Sequence, residues 1–280
     1  MIKSKLGIAS VLVGCSKNNF HDRGDDGEGP RLDLMAACAD AAIDAGCRVL
    51  VLPAGFFVAH SAEEQRALER RVRANLKDRK LVVAFGIDVF SGRNGASKAA
   101  SNGSAAASNG SAESSYFPYG YVVEDGQYLI SGTAQTGVRS NEVAKETVEE
   151  QLGKRYAASR LLDGATVGLL LCGEVLSPSW HAGFASIEPS LVLHLGHASI
   201  PLGGASKESW SAHVENLLQA LPKGAVWAFS DHIRRMEHSE SMTGAAVSLV
   251  RRSPGRPVPM VKDLSIEHEI PAWIYLHAVA

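Results

Sequence analysis

The sequence feature that most constrains the fold is an apolar run that ends at a cysteine. Residues 165–171 are small or branched, and Cys172, Gly173 and Glu174 follow directly. A continuous run of this kind is typical of a strand that is buried on both faces of a sheet. Such strands occur mainly in α/β proteins, in which helices cover the sheet. The run therefore predicts an α/β layered fold with a thiol at the carboxyl end of a strand.

The residues after this strand suggest a nucleophile site. Gly173 would permit a sharp turn that lifts the Cys172 sulfur onto the edge of the sheet. The same turn, with Glu174 beside it, would direct backbone N–H groups at an oxyanion, as in a nucleophile elbow that carries Cys in place of Ser. A buried structural cysteine is the alternative interpretation.

The rest of the chain alternates between strand-like and helix-like patterns, which favours a layered α/β sheet over separate all-α and all-β domains. We predict strands at residues 6–13, 49–52, 81–87, 119–124, 127–130, 165–171, 191–194, 225–229, 245–250 and 273–279. We predict helices at about residues 32–46, 62–77 and 207–220.

One domain accounts for the whole chain, residues 1–280. Residues 91–115 consist mainly of Ser, Gly, Ala and Asn, and the pentad Ser-Asn-Gly-Ser-Ala occurs in them twice. This composition predicts a flexible, low-complexity insertion within the domain. The formal net charge of −2 gives no reason to expect nucleic acid or an anionic membrane as a partner.

The four cysteines have neither CxxC spacing nor histidines at zinc spacing, so we expect no metal, no disulfide framework and a reducing cytoplasm. The first fifteen residues allow another interpretation. Lys3 and Lys5 precede an apolar stretch, and the residues up to Cys15 resemble a bacterial lipoprotein signal. The same stretch makes a good first strand, and we prefer that interpretation.

Together these features resemble the nitrilase, or carbon-nitrogen hydrolase, superfamily. The resemblance covers almost the whole chain and rests on the first strand, residues 46–53, the hairpin turn at Asp125-Gly126 and, above all, residues 163–174. It implies a four-layer αββα sandwich, with two such sandwiches pairing as a homodimer. It also implies hydrolysis of a small amide or nitrile by a Glu, a Lys and a Cys, with no cofactor.

Only the cysteine of that triad is matched directly, by Cys172. Ala54 stands where the family pattern has the general-base glutamate, and a methyl group cannot accept a proton. The lysine would fall near Ala134 or Gln135, and neither carries a positive charge. Gln135 could still donate a hydrogen bond.

Three residues are candidate substitutes for the missing groups. Glu142 lies where some amidases of the family have a second glutamate, Lys145 lies about ten residues past the expected lysine, and Glu174 is close to the cysteine in sequence. The sequence 230–232 reads Ser-Asp-His, the residue types of a hydrolase triad, but consecutive side chains of an extended segment point to opposite sides.

Two functions remain open at this point. The chain is either a divergent hydrolase whose Cys172 attacks a small amide with help from a relocated acid or base, or a non-catalytic relative that retains the fold for ligand binding or assembly. The second alternative rests on Ala54 and on the missing lysine, because a general base and an oxyanion-stabilising group each contribute roughly 10²–10⁴ to the rate.

Overall fold

The computed structural model describes residues 6–15, 28–91, 115–136, 148–196, 205–234 and 249–279. The helices are α1 (Glu28–Asp44), α2 (Ala62–Leu76), α3 (Val148–Leu152), α4 (Pro178–Ile187) and α5 (Ala205–Ala220). The strands are β1 (Leu6–Cys15), β2 (Val49–Val51), β3 (Phe57–Ala59), β4 (Val82–Ser91), β5 (Ser115–Glu124), β6 (Gln127–Ala134), β7 (Tyr156–Ala158), β8 (Thr166–Leu171), β9 (Leu191–Leu195), β10 (Val226–Arg234), β11 (Val250–Arg252), β12 (Arg256–Pro257), β13 (Met260–Ile266) and β14 (Ala272–Val279).

These strands form two sheets that are joined at one corner. The first sheet has the order β6-β5-β4-β2-β1-β14-β13, with β3 paired in parallel with the last part of β4, and the second has the order β7-β8-β9-β10-β11-β12. The central strands β1, β2 and β4 run parallel to one another, as do β8, β9 and β10. The last residues of β1 also pair in parallel with the last residues of β10. The carboxyl ends of both sets of strands therefore meet at one edge of the molecule.

Three apolar cores separate four layers. One core lies between the first sheet and helices α1 and α2, and includes Leu34 and Leu68. The central core lies between the two sheets and includes Val122 of the first and Leu169 of the second. The third core lies between the second sheet and helices α4 and α5, and includes Trp180. This arrangement confirms the predicted four-layer αββα sandwich.

Most predicted elements agree with the structure to within a few residues. Helix α2 buries Leu68, Val72 and Leu76, the apolar positions that repeat every four residues in its sequence. Helix α4 and strands β3, β7, β12 and β13 were not predicted. Strand β13 is largely exposed and contains charged residues, so it lacks the apolar signal of a buried strand. Residues 92–114, most of the predicted insertion, lie outside the described residues, as do residues 245–248 of a predicted strand.

Strand β1 forms the junction of the two sheets. It pairs with β2, β14 and β10, and residues 8–13 are fully buried. This confirms the interpretation of residues 6–13 as a strand. Within the described residues, no helix combines the length and the apolar character needed to cross a membrane.

Candidate active site

The candidate nucleophile occupies a strained turn at the end of β8. Cys172 has a φ of +42°, in the left-handed region that non-glycine residues rarely adopt, and begins a 3-10 turn over Cys172–Leu176. Gly173, which the sequence suggested as the turning residue, has no positive φ, so the cysteine itself makes the turn. Strain of this kind is concentrated at functional sites. The Cys172 residue is partly exposed, which excludes the interpretation as an entombed structural cysteine.

A buried histidine holds the Cys172 peptide group. The Nε2 atom of His194 donates to the carbonyl oxygen of Cys172 at 2.8 Å, because a carbonyl can only accept. The His194 ring packs against Phe229 with 4.7 Å between centroids, and the residue is 0% exposed. Burial lowers the pKa of His194 to about 4, so the ring is neutral at pH 7. The carbonyl of the elbow is therefore fixed on the outer side of the second sheet.

The Glu174 carboxylate holds the Cys172 turn in place through hydrogen bonds. Its Oε1 atom accepts hydrogen bonds from Thr136 N (2.6 Å), Thr136 Oγ1 (2.9 Å) and Arg155 Nη2 (3.0 Å). Its Oε2 atom accepts from Arg155 Nη1 (2.5 Å) and Leu171 N (2.8 Å). The Glu174 side chain therefore holds the elbow, and an oxyanion site formed by the backbone N–H groups of Gly173 and Glu174 stays a prediction.

Arg155 completes this network. Arg155 and Glu174 are both 0% exposed and form a two-point ion pair, and Arg155 also donates to the Ala134 carbonyl. The guanidinium lies 4.6 Å from the Trp180 ring centre, and Trp180 Nε1 donates to Thr136 Oγ1 at 2.7 Å. The network thus ties the segment after β6 to the elbow after β8. Sequence reasoning did not identify Arg155 or Thr136, because both are distant from Cys172 in the sequence.

Ala54 lies at the same edge as the elbow. It is 0% exposed, its N–H donates to Gly196 O at 2.9 Å, and its carbonyl accepts from His232 Nε2 at 2.9 Å. Gly196 directly follows Leu195, which pairs with Leu171, so it neighbours Cys172 across the second sheet. Ala54 is therefore about two strand spacings, roughly 10 Å, from Cys172.

Gln135 is the third position at this edge. It follows β6, its N–H donates to Pro118 O at 2.9 Å, and the residue is partly exposed. The next residue, Thr136, donates to Glu174, two residues after Cys172. The structure therefore brings Ala54, Gln135 and Cys172 together, whereas Glu142 and Lys145 lie outside the described residues.

The Ser-Asp-His sequence at 230–232 does not form a relay. The Ser230 hydroxyl donates to the Val11 carbonyl, Asp231 accepts from the His232 backbone N–H at 2.7 Å, and the His232 ring contacts Ala54. The prediction from strand alternation is confirmed. The contact of His232 with Ala54 was not foreseen, because it joins residues 178 positions apart.

One cavity lies away from the candidate residues. A cavity of about 550 Å³ lies at the opposite edge of the first sheet and is lined by Gly7, Cys47 and Leu276 among others. It includes none of the candidate residues. No cluster of three His, Cys, Asp or Glu side chains suited to a metal ion occurs in the ranges given above.

Comparison with solved structures identifies the fold. The sequence matches no protein-family profile, and no curated protein sequence is significantly similar. An amidase from Nesterenkonia sp. AN1, as a double mutant in complex with acrylamide, superposes with a TM-score of 0.59 at 15% identity, over 99% of this chain and 91% of that one. A crystal structure of an amidase from Nesterenkonia sp. gives 0.58 at 16% identity, over 98% and 91%.

A third structure carries a covalent modification. It is a mutant of the same amidase with the acetamide moiety of fluoroacetamide added at the active-site cysteine, and it gives a TM-score of 0.56 at 17% identity, over 98% of this chain and 89% of that one. Another structure of this amidase is described as belonging to the nitrilase superfamily. At these identities the comparison establishes the fold, so the chain has a nitrilase-like fold.

Proposed function

We propose that this chain is a divergent nitrilase-superfamily protein that binds a small amide or nitrile beside Cys172 and attacks it with the Cys172 thiol. The observation that carries the proposal is the left-handed φ of Cys172 at the carboxyl end of β8, at a partly exposed position, within a nitrilase-like sandwich. Such a turn is costly for a non-glycine residue and serves to present a nucleophile.

The chemistry follows from a thiol placed beside a carbonyl carbon. The sulfur forms a C–S bond with the amide carbon, the thiol proton is transferred to the nitrogen, and the C–N bond breaks to release ammonia and leave a thioester. Water then adds to the thioester, the C–S bond breaks, and the acid leaves as the thiol is regenerated. For a nitrile, the S–H adds across the C≡N bond to give a thioimidate, and a first water molecule adds to this carbon before the C–N bond breaks, ammonia leaves and the thioester remains.

Turnover should be slower than in a site with a complete triad. Ala54 supplies no proton acceptor at its position and Gln135 no positive charge, and each such group contributes roughly 10²–10⁴ to the rate. A cytoplasmic location, which keeps Cys172 reduced, and a homodimer formed through the helical layers are parts of the same proposal. Size-exclusion chromatography with light scattering tests the dimer.

The thiol is tested by covalent labelling. Fluoroacetamide or acrylamide should add one moiety per chain at Cys172, as detected by intact-mass and peptide mass spectrometry, and the Cys172→Ser variant should remain unlabelled. Burial raises the pKa of Cys47 to about 11 and that of Cys38 to about 12, so neither thiol should compete. The Cys47→Ser variant is the matched control and should label like wild type. Absence of an adduct at Cys172 would refute the proposal.

The binding-only alternative is favoured by the buried Ala54 methyl group. Ammonia release from acetamide and propionamide separates the two functions. Release above background that disappears in Cys172→Ser identifies a hydrolase. Labelling without any release identifies a thiol site that binds its ligand and does not turn it over.

A further inference from the structure

A buried carboxylate, that of Asp88, lies close to Ala54, the position at which the family pattern has a glutamate. Asp88 is near the carboxyl end of β4 and is only 1% exposed. The alternate residues Val82 and Ala84 of the same strand belong to the central core, so Asp88 shares the face of β4 that points toward the second sheet. Acidic residues are almost never buried to this extent unless they are paired.

Asp88 lies two residues beyond Gly86 on β4, and Gly86 is the residue that contacts Ala54. Gly86 N donates to Pro53 O at 3.2 Å, and a Cβ built on Gly86 would lie 2.5 Å from the Ala54 Cα. The backbone at Ala54 therefore rests directly on β4 at Gly86. Asp88 is two residues further on the same face, about 6.6 Å along the strand. A carboxylate on β4 can thus occupy about the same region as one carried by a longer side chain at position 54.

Asp88 is also connected to Gln135, through its pairing partner on β5. Asp88 pairs with Pro118 on β5, and the Pro118 carbonyl accepts from Gln135 N at 2.9 Å. Asp88 consequently lies one row beyond the contact of Gly86 with Ala54, with Val58 of β3 paired on one side and Pro118, the partner of Gln135, on the other.

The row formed by Asp88 and Pro118 faces Cys172, which follows Leu171. In the preceding row, a Cβ built on Gly120 would lie 2.6 Å from Leu171 Cδ2, so Gly120 faces the end of β8, whereas its partner Gly86 is covered by the Ala54 backbone. Both sheets have their carboxyl ends at this edge. One step outward from Gly120 is Pro118, the pairing partner of Asp88, and one step outward from Leu171 is Cys172.

We propose that Asp88 is the catalytic proton acceptor of the Cys172 site, displaced by one strand from the position that Ala54 occupies. The inference rests on the proposed function. The Asp88 carboxylate accepts the thiol proton as the C–S bond forms and passes it to the leaving nitrogen, which departs as ammonia. It then accepts a proton from the water that adds to the thioester, and returns it to the sulfur as the acid is released.

Deacylation is the step that tests this role most directly. An activated ester such as p-nitrophenyl acetate acylates a thiol without a general base, whereas hydrolysis of the resulting thioester needs one. Mass spectrometry should show acetyl-Cys172 forming in both wild type and Asp88→Asn. The adduct should then decay about 100-fold more slowly in the variant. Asp125→Asn, at the opposite end of the first sheet, is the control and should decay like wild type.

The outcomes separate the two proposals. If wild type is not acylated at Cys172, the proposed function fails. If it is acylated and Asp88→Asn deacylates within threefold of wild type, only the role of Asp88 fails. A structural role for Asp88 predicts that Ala54→Glu speeds deacylation by the same factor in wild type and in Asp88→Asn, whereas a proton-accepting role predicts a gain at least about tenfold larger in Asp88→Asn. Should Asp88→Asn fail to fold, Asp88→Ser is to be measured instead, with the same threefold limit.

Discussion

The carboxyl edges of the two sheets differ in how they meet the needs of one reaction. The edge of the second sheet holds its nucleophile by backbone geometry, a histidine on the Cys172 carbonyl and a five-donor carboxylate. The edge of the first sheet has a methyl group at Ala54 and an amide at Gln135, where the resemblance expects a base and a cation. Presentation of the nucleophile is thus distributed over many contacts, whereas acid-base function depends on single side chains.

This difference has a physical cause. Loss of one group from the network around Arg155 and Glu174 leaves a buried charge without its partner, which is strongly destabilising. A proton acceptor needs only to be within reach of the reacting atoms. A carboxylate such as Asp88 can therefore replace one at position 54 while the fold stays the same. A member of the network around Glu174 cannot be replaced from another position in this way.

The largest effect should follow from breaking the anchor of the second sheet. Arg155→Met removes the partner of a fully buried carboxylate and should lower the free energy of unfolding by about 3–5 kcal/mol in urea titrations. The control is Arg71→Met, because the pair of Arg71 with Glu28 is exposed, and its loss should cost at most about 1 kcal/mol. Equal losses in the two variants would mean that the buried network does not support the elbow.

The histidine on the Cys172 carbonyl should make stability depend on pH. Burial lowers the pKa of His194 from 6.5 to about 4, so the unfolded chain binds a proton that the folded chain rejects. The stabilisation is complete above pH 6.5 and is lost as the pH falls toward 4, by about 3 kcal/mol. His194→Gln retains a donor and should flatten this part of the pH profile in urea titrations. The exposed His60→Gln variant should keep the wild-type slope, and a wild-type slope in His194→Gln would contradict the assignment.

The sequence was sufficient to predict the layered fold and Cys172, because buried strands and amphipathic helices have local periodic signals. The resemblance to the nitrilase superfamily, and not the local signals, pointed to Ala54 and Gln135, which were located by counting from a strand end and from a turn. Arg155, Thr136 and Asp88 could not be found in this way, because their relation to Cys172 depends on which strands are neighbours. The burial of Asp88 depends on the same pairing, since an isolated acidic residue within an apolar strand fits an exposed edge equally well.

A substitution that adds a catalytic group at the carboxyl edge of the first sheet also tests the difference between the two edges. Gln135→Lys places a cation in the row that contains Asp88, and should speed amide hydrolysis by about tenfold through stabilisation of the oxyanion. The measurement is ammonia release at saturating acetamide. Gln127→Lys, at the exposed start of β6, adds the same charge at a distance and should leave the rate unchanged. A similar increase in both variants would indicate a general effect of net charge.

The smallest effect concerns the strain in the elbow itself. A left-handed φ costs a residue with a Cβ roughly 1 kcal/mol, and glycine avoids this cost. We therefore expect Cys172→Gly to be more stable than Cys172→Ala by about 1 kcal/mol in urea titrations, although both lack the thiol. At Leu170, two residues earlier in the same strand, backbone angles are ordinary, and Leu170→Gly should be less stable than Leu170→Ala. The opposite signs at two nearby positions would show that the strain belongs to the nucleophile and not to the strand, and equal signs would remove the structural argument for an elbow.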